Sequence, residues 1–397
     1  MAEIGIVALN SSPGEGGGVD VYARGLVEAL SNHASGDNTY VVITEGAAAS
    51  WTSRVWPSHM RFTDVNFRAP SRTRTELVRD AVRRGLGLPS LMRHGEEYIA
   101  RQIDRLDLDL LHCPSTVIFP FPVRTPCVLT FFDMQHEYYP QFFTEDELAA
   151  RANAFRPSVD KAVHLIAPSD YTGRTLQEKY AVPPEKMSLI PVGISDTFRR
   201  RETAEVERVR AKYRLPDEFI FYPANPWQHK NHARLMAALR IYRERYGDCP
   251  WLVLTGRLRL ERREAISLAI AAGVEDRVTD LAFVEPTDLP ALYSAAQLMV
   301  FPSLFEGFGI PLVEAMACGC PIAAADDTSI PEVTNGAALL FDQLDPQAMA
   351  HSLHELLHNQ EVRATLTAKG MQQIERFDWR KVVVALEAVY AQVGTPR

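Results

Sequence analysis

Short apolar runs, each followed by a stretch with helical spacing, recur along the whole 397-residue chain, and this alternation restricts the fold more than any other feature. In the first half the runs Ile4–Leu9, Tyr40–Thr44, Leu108–His112, Cys127–Phe132, His164–Ala167 and Met187–Pro191 read as strands, and Val21–Leu30 reads as a helix between the first two. The second half repeats the pattern with Phe219–Tyr222, Trp251–Thr255, Val278–Phe283, Leu298–Phe301, Pro321–Ala325 and Ala338–Phe341. Within it, Leu235, Leu239, Tyr242 and Tyr246 share one face of an expected helix over Ala233–Tyr246. Repeated strand–helix units build parallel sheets covered by helices on both faces. A single core rarely grows past about 250–300 residues, so the expected fold class is α/β with two Rossmann-like domains facing a cleft. Gly193, in Pro191-Val-Gly-Ile194 and followed by the charged stretch Arg199 to Arg214, marks the expected boundary.

The segment Phe305-Glu306-Gly307-Phe308-Gly309-Ile310-Pro311-Leu312-Val313-Glu314-Ala315 carries the sharpest chemistry. A buried strand, Leu298–Phe301, leads into a Gly-x-Gly turn and a helix start, with Pro311 suited to the first helical position. Bare backbone at Gly307 and Gly309 lets N–H groups approach a ligand, and a helix N-terminus is a site for phosphate. Glu306 and Glu314 would repel phosphate; carboxylates accept hydrogen bonds from hydroxyls. Together these groups call for a sugar joined to a nucleotide through a diphosphate.

This segment resembles the Glu-x7-Glu signature of the family-4 retaining glycosyltransferases of the GT-B fold. The resemblance continues through Glu314-Ala-Met-Ala-Cys-Gly-Cys-Pro321 to Ser329-Ile-Pro-Glu-Val333 and extends more weakly over nearly the whole chain. It implies that Glu306 contacts the donor sugar, beside the backbone of Phe308, Gly309 and Ile310, that the helix start at Ile310, Pro311 and Leu312 faces the diphosphate, and that Glu314 contacts the ribose. It implies a diphosphate clamp at Lys230, within Ala224-Asn-Pro-Trp-Gln-His-Lys-Asn-His232. Relatives often carry an Arg where this chain has Ala224; Arg257 is a candidate second cation. In Ser11-Ser-Pro-Gly-Glu-Gly-Gly-Gly18 the resemblance implies a phosphate loop at Gly16, Gly17 and Gly18, with Tyr22 on the acceptor side; a surface turn is the alternative. Phe131-Phe132-Asp133-Met-Gln-His136 stands where many relatives have His-Asp. The family His is absent at Phe132, and Asp133 or His136 is the candidate to meet the acceptor, against a capping or packing role. The implied domains are 1–193 for the acceptor, 194–378 for the donor, and a helix over 379–397 that crosses back onto the first domain.

The remaining features mostly exclude. A net charge of −8 argues against nucleic acid. Cys113, Cys127, Cys249, Cys318 and Cys320 are odd in number and scattered, so no disulfide or zinc framework is expected. No signal peptide and no run approaching about 18 apolar residues is visible, which gives an expected cytoplasmic protein. The Arg-rich region Arg68 to Arg105, with Leu77, Val78, Ala81, Val82 and Leu86 as an apolar side, could touch the inner membrane face or form an ordinary surface helix. His354-Glu-Leu-Leu-His358 matches the zinc-protease motif, but Met349, Leu353, Leu356 and Leu357 form the buried stripe and the imidazoles are expected on the solvated side. Asp107-Leu-Asp109 leads into a strand and reads as structural. No metal or cofactor is expected.

The expected activity is therefore retaining, metal-independent transfer of a hexosyl group from a GDP- or UDP-linked donor to an acceptor hydroxyl. Mannosyl transfer in polysaccharide, glycolipid or glycosylated-metabolite synthesis is included. The residues leave open the sugar, the base, the acceptor and the oligomeric state. A nucleotide-sugar 2-epimerase and a catalytically idle partner subunit on the same fold are the alternatives.

Overall fold

The computed structural model describes residues 2–8, 18–45, 55–66, 94–256 and 259–394. Two parallel sheets form its frame. The first has the order β3-β2-β1-β4-β5-β6-β7, with β1 Glu3–Val7, β2 Thr39–Thr44, β3 Met60–Asp64, β4 Leu110–Cys113, β5 Cys127–Thr130, β6 His164–Ala167 and β7 Met187–Leu189. The second has the order β10-β9-β8-β11-β12-β13, with β8 Phe219–Pro223, β9 Trp251–Thr255, β10 Val278–Asp280, β11 Leu298–Phe301, β12 Ile322–Ala325 and β13 Ala338–Phe341. The central strands β4, β5, β6, β11 and β12 are buried at every position, because helices cover both faces. The architecture is thus two Rossmann-like α/β units.

Six helices bear on the site: α1 Gly18–His33, α2 Asp170–Tyr180, α3 His232–Tyr246, α4 Ile310–Ala317, α5 Pro346–His358 and α6 Trp379–Val393. The strand absent from the sequence reading is β3. It lies at the sheet edge and buries only Met60, so Met60-Arg-Phe-Thr-Asp64 has no apolar run to betray it. Asp109, from the D-x-D sequence, accepts from the Glu3 N–H at 2.8 Å, a structural role beside β1.

Helix α6 packs on α1, although it follows the second sheet in the chain. Its path is set where Ile194 N–H donates to Phe377 O at 2.8 Å, tying the two crossing segments together. Trp379 then lies against Gly193 and Gly25, where a side chain on either residue would collide with the indole. Further along, Tyr390 OH stands 2.7 Å from His112 Nδ1, and His112 Nε2 stands 2.8 Å from Thr130 Oγ1. His112 is fully buried, and burial pushes its imidazole down to about 3, so it stays neutral. No helix among the described residues is long and apolar enough to cross a membrane.

Tyr390→Phe leaves a buried imidazole nitrogen without its partner. The expected loss is about 1–3 kcal/mol, read as a lowered melting temperature. A wild-type melting curve would contradict this role for the hydrogen bond.

Candidate functional site

The strand order reverses between β1 and β4 and again between β8 and β11. Such switch points open a crevice at the carboxyl ends of the strands. The loops after β8 and β11 carry Lys230 and Glu306, and the loop after β5 carries Asp133.

Lys230 is held by its backbone. Tyr222 OH donates to Lys230 O at 2.7 Å, and Leu304 N–H donates to His229 O at 2.7 Å. Asn231, with φ of 61°, takes the left-handed conformation that Asn tolerates. Its buried amide donates to Pro302 O at 3.0 Å and Gln343 O at 2.8 Å, lacing this loop to the ends of β11 and β13. Lys230 Nζ then lies 2.5 Å from Glu306 Oε1, with the two side chains 14% and 12% exposed. The charges compensate each other where water is largely excluded.

Beyond Glu306, Gly309 caps α4 with φ of 94°, and Pro311 takes the second helical position, one place later than expected. The N–H groups of Phe308, Gly309 and Ile310 donate to no described residue. Opposite them, Gly18 opens α1, and a Cβ built there would lie 3.5 Å from Ile310 Cδ1. Two helix N-termini thus meet across the crevice, each with partial positive charge. Leu312 corrects the sequence reading: its side chain is fully buried and its N–H donates to Gly309 O, so it has nothing to offer a ligand. The Phe308 ring packs against Phe377 at 5.7 Å, leaving its backbone as the available part.

Asp133 is half-buried and accepts from Gln135 N–H at 3.1 Å. Burial raises its carboxyl above the ordinary value, Gln135 N–H lowers it, and the neighbouring Glu306 charge raises it further. His136 is placed differently from the expectation that it reaches the sugar. It is buried, edge-on to Phe155 at 4.8 Å and Phe143 at 6.5 Å, with no hydrogen bond to either ring nitrogen among the described residues. Burial lowers its imidazole, which fits the packing alternative. Tyr22 is likewise buried, between Phe132 at 5.1 Å and Trp379 at 5.9 Å, with its hydroxyl pushed up to about 12 by burial. It supports the Phe132 loop rather than lining the crevice. Gly16, Gly17 and Arg257 lie outside the described residues, as does most of the Arg68 to Arg105 region.

Glu314 sits inward on α4, almost buried, and accepts from Tyr293 OH at 2.6 Å through Oε2. Burial raises its carboxyl to about 7, against the Tyr293 hydrogen bond, which lowers it. A cavity at the ends of β8, β9 and β10 is lined by Ala224, Pro226, His232, Thr255, Gly256 and Asp280. Sequence reasoning missed Asn231, Tyr293 and His232. Asn231 and His232 carried a signal, since they directly follow Lys230 in the quoted segment. Tyr293 is a single residue on a helix with no motif of its own.

The H-E-x-x-H helix is also corrected. His354 stacks on Tyr246 at 3.7 Å, and Tyr242 OH stands 3.2 Å from both His354 Nδ1 and His358 Nε2. His351 and His358 are exposed, as expected, while His354 is half-buried against α3, where the two tyrosines hold it. Among the described residues no group of three His, Cys, Asp or Glu could hold a metal ion. All five cysteines are buried and free.

Two family models match the chain in sequence order: Glycosyltransferase Family 4 over residues 16–198 and Glycosyl transferases group 1 over residues 205–373. The O-antigen chain mannosyltransferase B of Escherichia coli is 29% identical over 257 residues, which are 64% of this chain and 66% of that protein, just under two thirds of its length. Sucrose-phosphate synthase from Thermosynechococcus elongatus superposes with a TM-score of 0.75 at 20% identity, covering 99% of both chains. Anabaena Alr3699/HepE, solved in complex with UDP and glucose, superposes with a TM-score of 0.73 at 18% identity, covering 99% of this chain and 100% of that one.

The Glu314 carboxyl, followed by difference infrared spectroscopy in protein labelled at glutamate, is expected to titrate near 7. Tyr293→Phe removes a donor that favours the charged form and moves the midpoint upward. A midpoint at the ordinary 4.5 would mean that the carboxyl is solvated.

Proposed function

The chain belongs to the family-4, group 1 glycosyltransferases of the GT-B fold, and from that premise we propose that it transfers a hexosyl group from a nucleotide-diphosphate sugar to an acceptor hydroxyl, with retention. The observation that carries this reading is the Lys230–Glu306 pair beside two facing helix N-termini. A diphosphate entering at the N-termini of α1 and α4, with the Ile310 side chain giving way from Gly18, meets the N–H groups of Phe308, Gly309 and Ile310, which donate to no described residue, and draws Lys230 away from Glu306. Glu306 is then released to accept hydrogen bonds from the sugar hydroxyls. Preorganised donors at the departing oxygen stabilise the charge that develops there.

In the proposed step the bond from C1 to the diphosphate oxygen breaks, and the nucleoside diphosphate leaves with the electron pair. The acceptor oxygen attacks C1 on the same face, and its proton passes to the leaving phosphate or to Asp133. The raised Asp133 carboxyl makes it a better base than a solvated one. Glu314, with Oε2 taken by Tyr293, presents Oε1 to the ribose. The division into an acceptor domain over 1–193, a donor domain over 194–378 and a closing segment over 379–397 follows from this reading. So does a cytoplasmic site of action, with peripheral membrane contact through 68–105 as a further part of the proposal. The relative that is a mannosyltransferase and the neighbour bound to UDP favour mannose or glucose as the sugar and leave GDP and UDP as the carriers to test.

The test is a panel of GDP- and UDP-linked sugars incubated with and without acceptor, in the presence of EDTA. Transfer that needs acceptor and survives the chelator supports the proposal. Donor conversion without acceptor would make the protein an epimerase, and no turnover with any donor would favour an idle subunit. Under the active condition, Glu306→Gln is expected to lower kcat by about 10²–10³, whereas Glu314→Gln mainly raises the donor KM. Wild-type kcat in Glu306→Gln would overturn the role given to it.

A further inference from the structure

The loop that carries Glu306 makes few bonds to itself. Its carbonyls are held from outside. Tyr139 OH donates to Leu304 O at 3.2 Å, and Ser329 Oγ donates to Glu306 O at 3.0 Å. Ser169 Oγ donates to Gly307 O at 2.6 Å, and Thr172 Oγ1 lies 2.9 Å from the same carbonyl. Tyr139, Ser169 and Thr172 belong to the half of the chain that carries Asp133. Thr172 Oγ1 also lies 3.1 Å from Phe132 O, immediately before Asp133, so one buried hydroxyl bridges the two loops that bear the site's carboxylates. The loops touch directly as well: a Cβ on Gly307 would stand 1.9 Å from Phe132 O.

A second set of bonds fixes α2, the helix that supplies this hydroxyl. Glu332 reaches across from the other half, and its two oxygens accept from Asp170 N–H at 2.7 Å and Tyr171 N–H at 3.1 Å. A carboxylate there satisfies two orphan donors and suits the positive end of the helix. Phe305, next to Glu306, is buried among Tyr138, Tyr139 and Tyr171 at 5.3, 6.1 and 5.7 Å.

We propose that Ser169 and Thr172, locked by Glu332 at the N-terminus of α2, are positioning residues that set the Glu306 loop against the Asp133 loop. The site is then complete only while the two halves are engaged. The inference rests on the reading of Glu306 as the sugar contact. Of the groups that hold nucleotide alone, Lys230, Glu314 and the N–H groups of Gly309 and Ile310 are not touched by these hydroxyls, and only Phe308 N–H shares its peptide with the Gly307 carbonyl they bind. Losing the bridge therefore costs the chemical step and spares nucleotide binding, since a small displacement of reacting groups is enough to slow a reaction strongly.

The test compares Thr172→Val, which keeps the shape and removes the hydroxyl, with Thr172→Ser, which restores it. In Thr172→Val, kcat is expected to fall about tenfold or more, with the dissociation constants of UDP and GDP by calorimetry unchanged, and Thr172→Ser is expected to recover kcat. Hydrogen exchange of a peptide spanning 303–309 is expected to speed up in Thr172→Val and Glu332→Ala and to match wild type in Thr172→Ser. Wild-type kcat and protection in Thr172→Val would overturn the proposal, as would an equal loss of kcat and nucleotide affinity. If the wild-type protein turns over no donor, the transferase reading fails, and the exchange experiment alone decides the bridge.

Discussion

The contact on which the rest depends is the approach of Gly307 to the Phe132 carbonyl, so close that only a residue without a side chain fits. It brings the loop after β11 onto the loop after β5, and so the end of one parallel sheet onto the end of the other. Each sheet alone opens a crevice at its switch point. Joined here, the two crevices become one, with Lys230 and Glu306 contributed by one side and Asp133 by the other.

Charge management follows from that junction. The crevice collects four ionisable groups with little water to screen them, and an unpaired charge in such a place is expensive. Lys230 and Glu306 meet this by pairing with each other, while Asp133 and Glu314 meet it by holding their protons more tightly. The arrangement is suited to an anionic ligand, which replaces Glu306 as the partner of Lys230. It also explains why the backbone around the site is so heavily tied. Asn231, Tyr222 and Ser329 spend their polar groups on main-chain carbonyls, leaving the charged side chains and the N–H groups of α4 to the ligand.

The two-sheet fold was legible because most strands are continuous apolar runs buried on both faces, and β8, β9 and β11 stand where the runs placed them. β3 was not, since an edge strand buries too little to leave a pattern. At the site, Lys230 and Glu306 were legible from a motif and come together as an ion pair. His136 was chosen by its sequence distance from the position of the absent family His, and distance along a loop says nothing of direction; Tyr22 was carried over from the resemblance and lies on the buried side of α1. A four-residue helical turn at Gln135–Tyr138 takes the imidazole into the Phe143–Phe155 cluster. Ser169, Thr172 and Glu332 were invisible as site residues because their partners are carbonyls and N–H groups more than 100 positions away in the chain, or 40 in the case of Phe132.

The most direct measurement is a crystal structure of the protein soaked with GDP or UDP. The diphosphate is expected at the N-termini of α1 and α4, with Lys230 Nζ moved from Glu306 onto a phosphate oxygen and Glu314 Oε1 on the ribose. A nucleotide bound elsewhere, or one bound in the crevice with the Lys230–Glu306 pair intact, would contradict it.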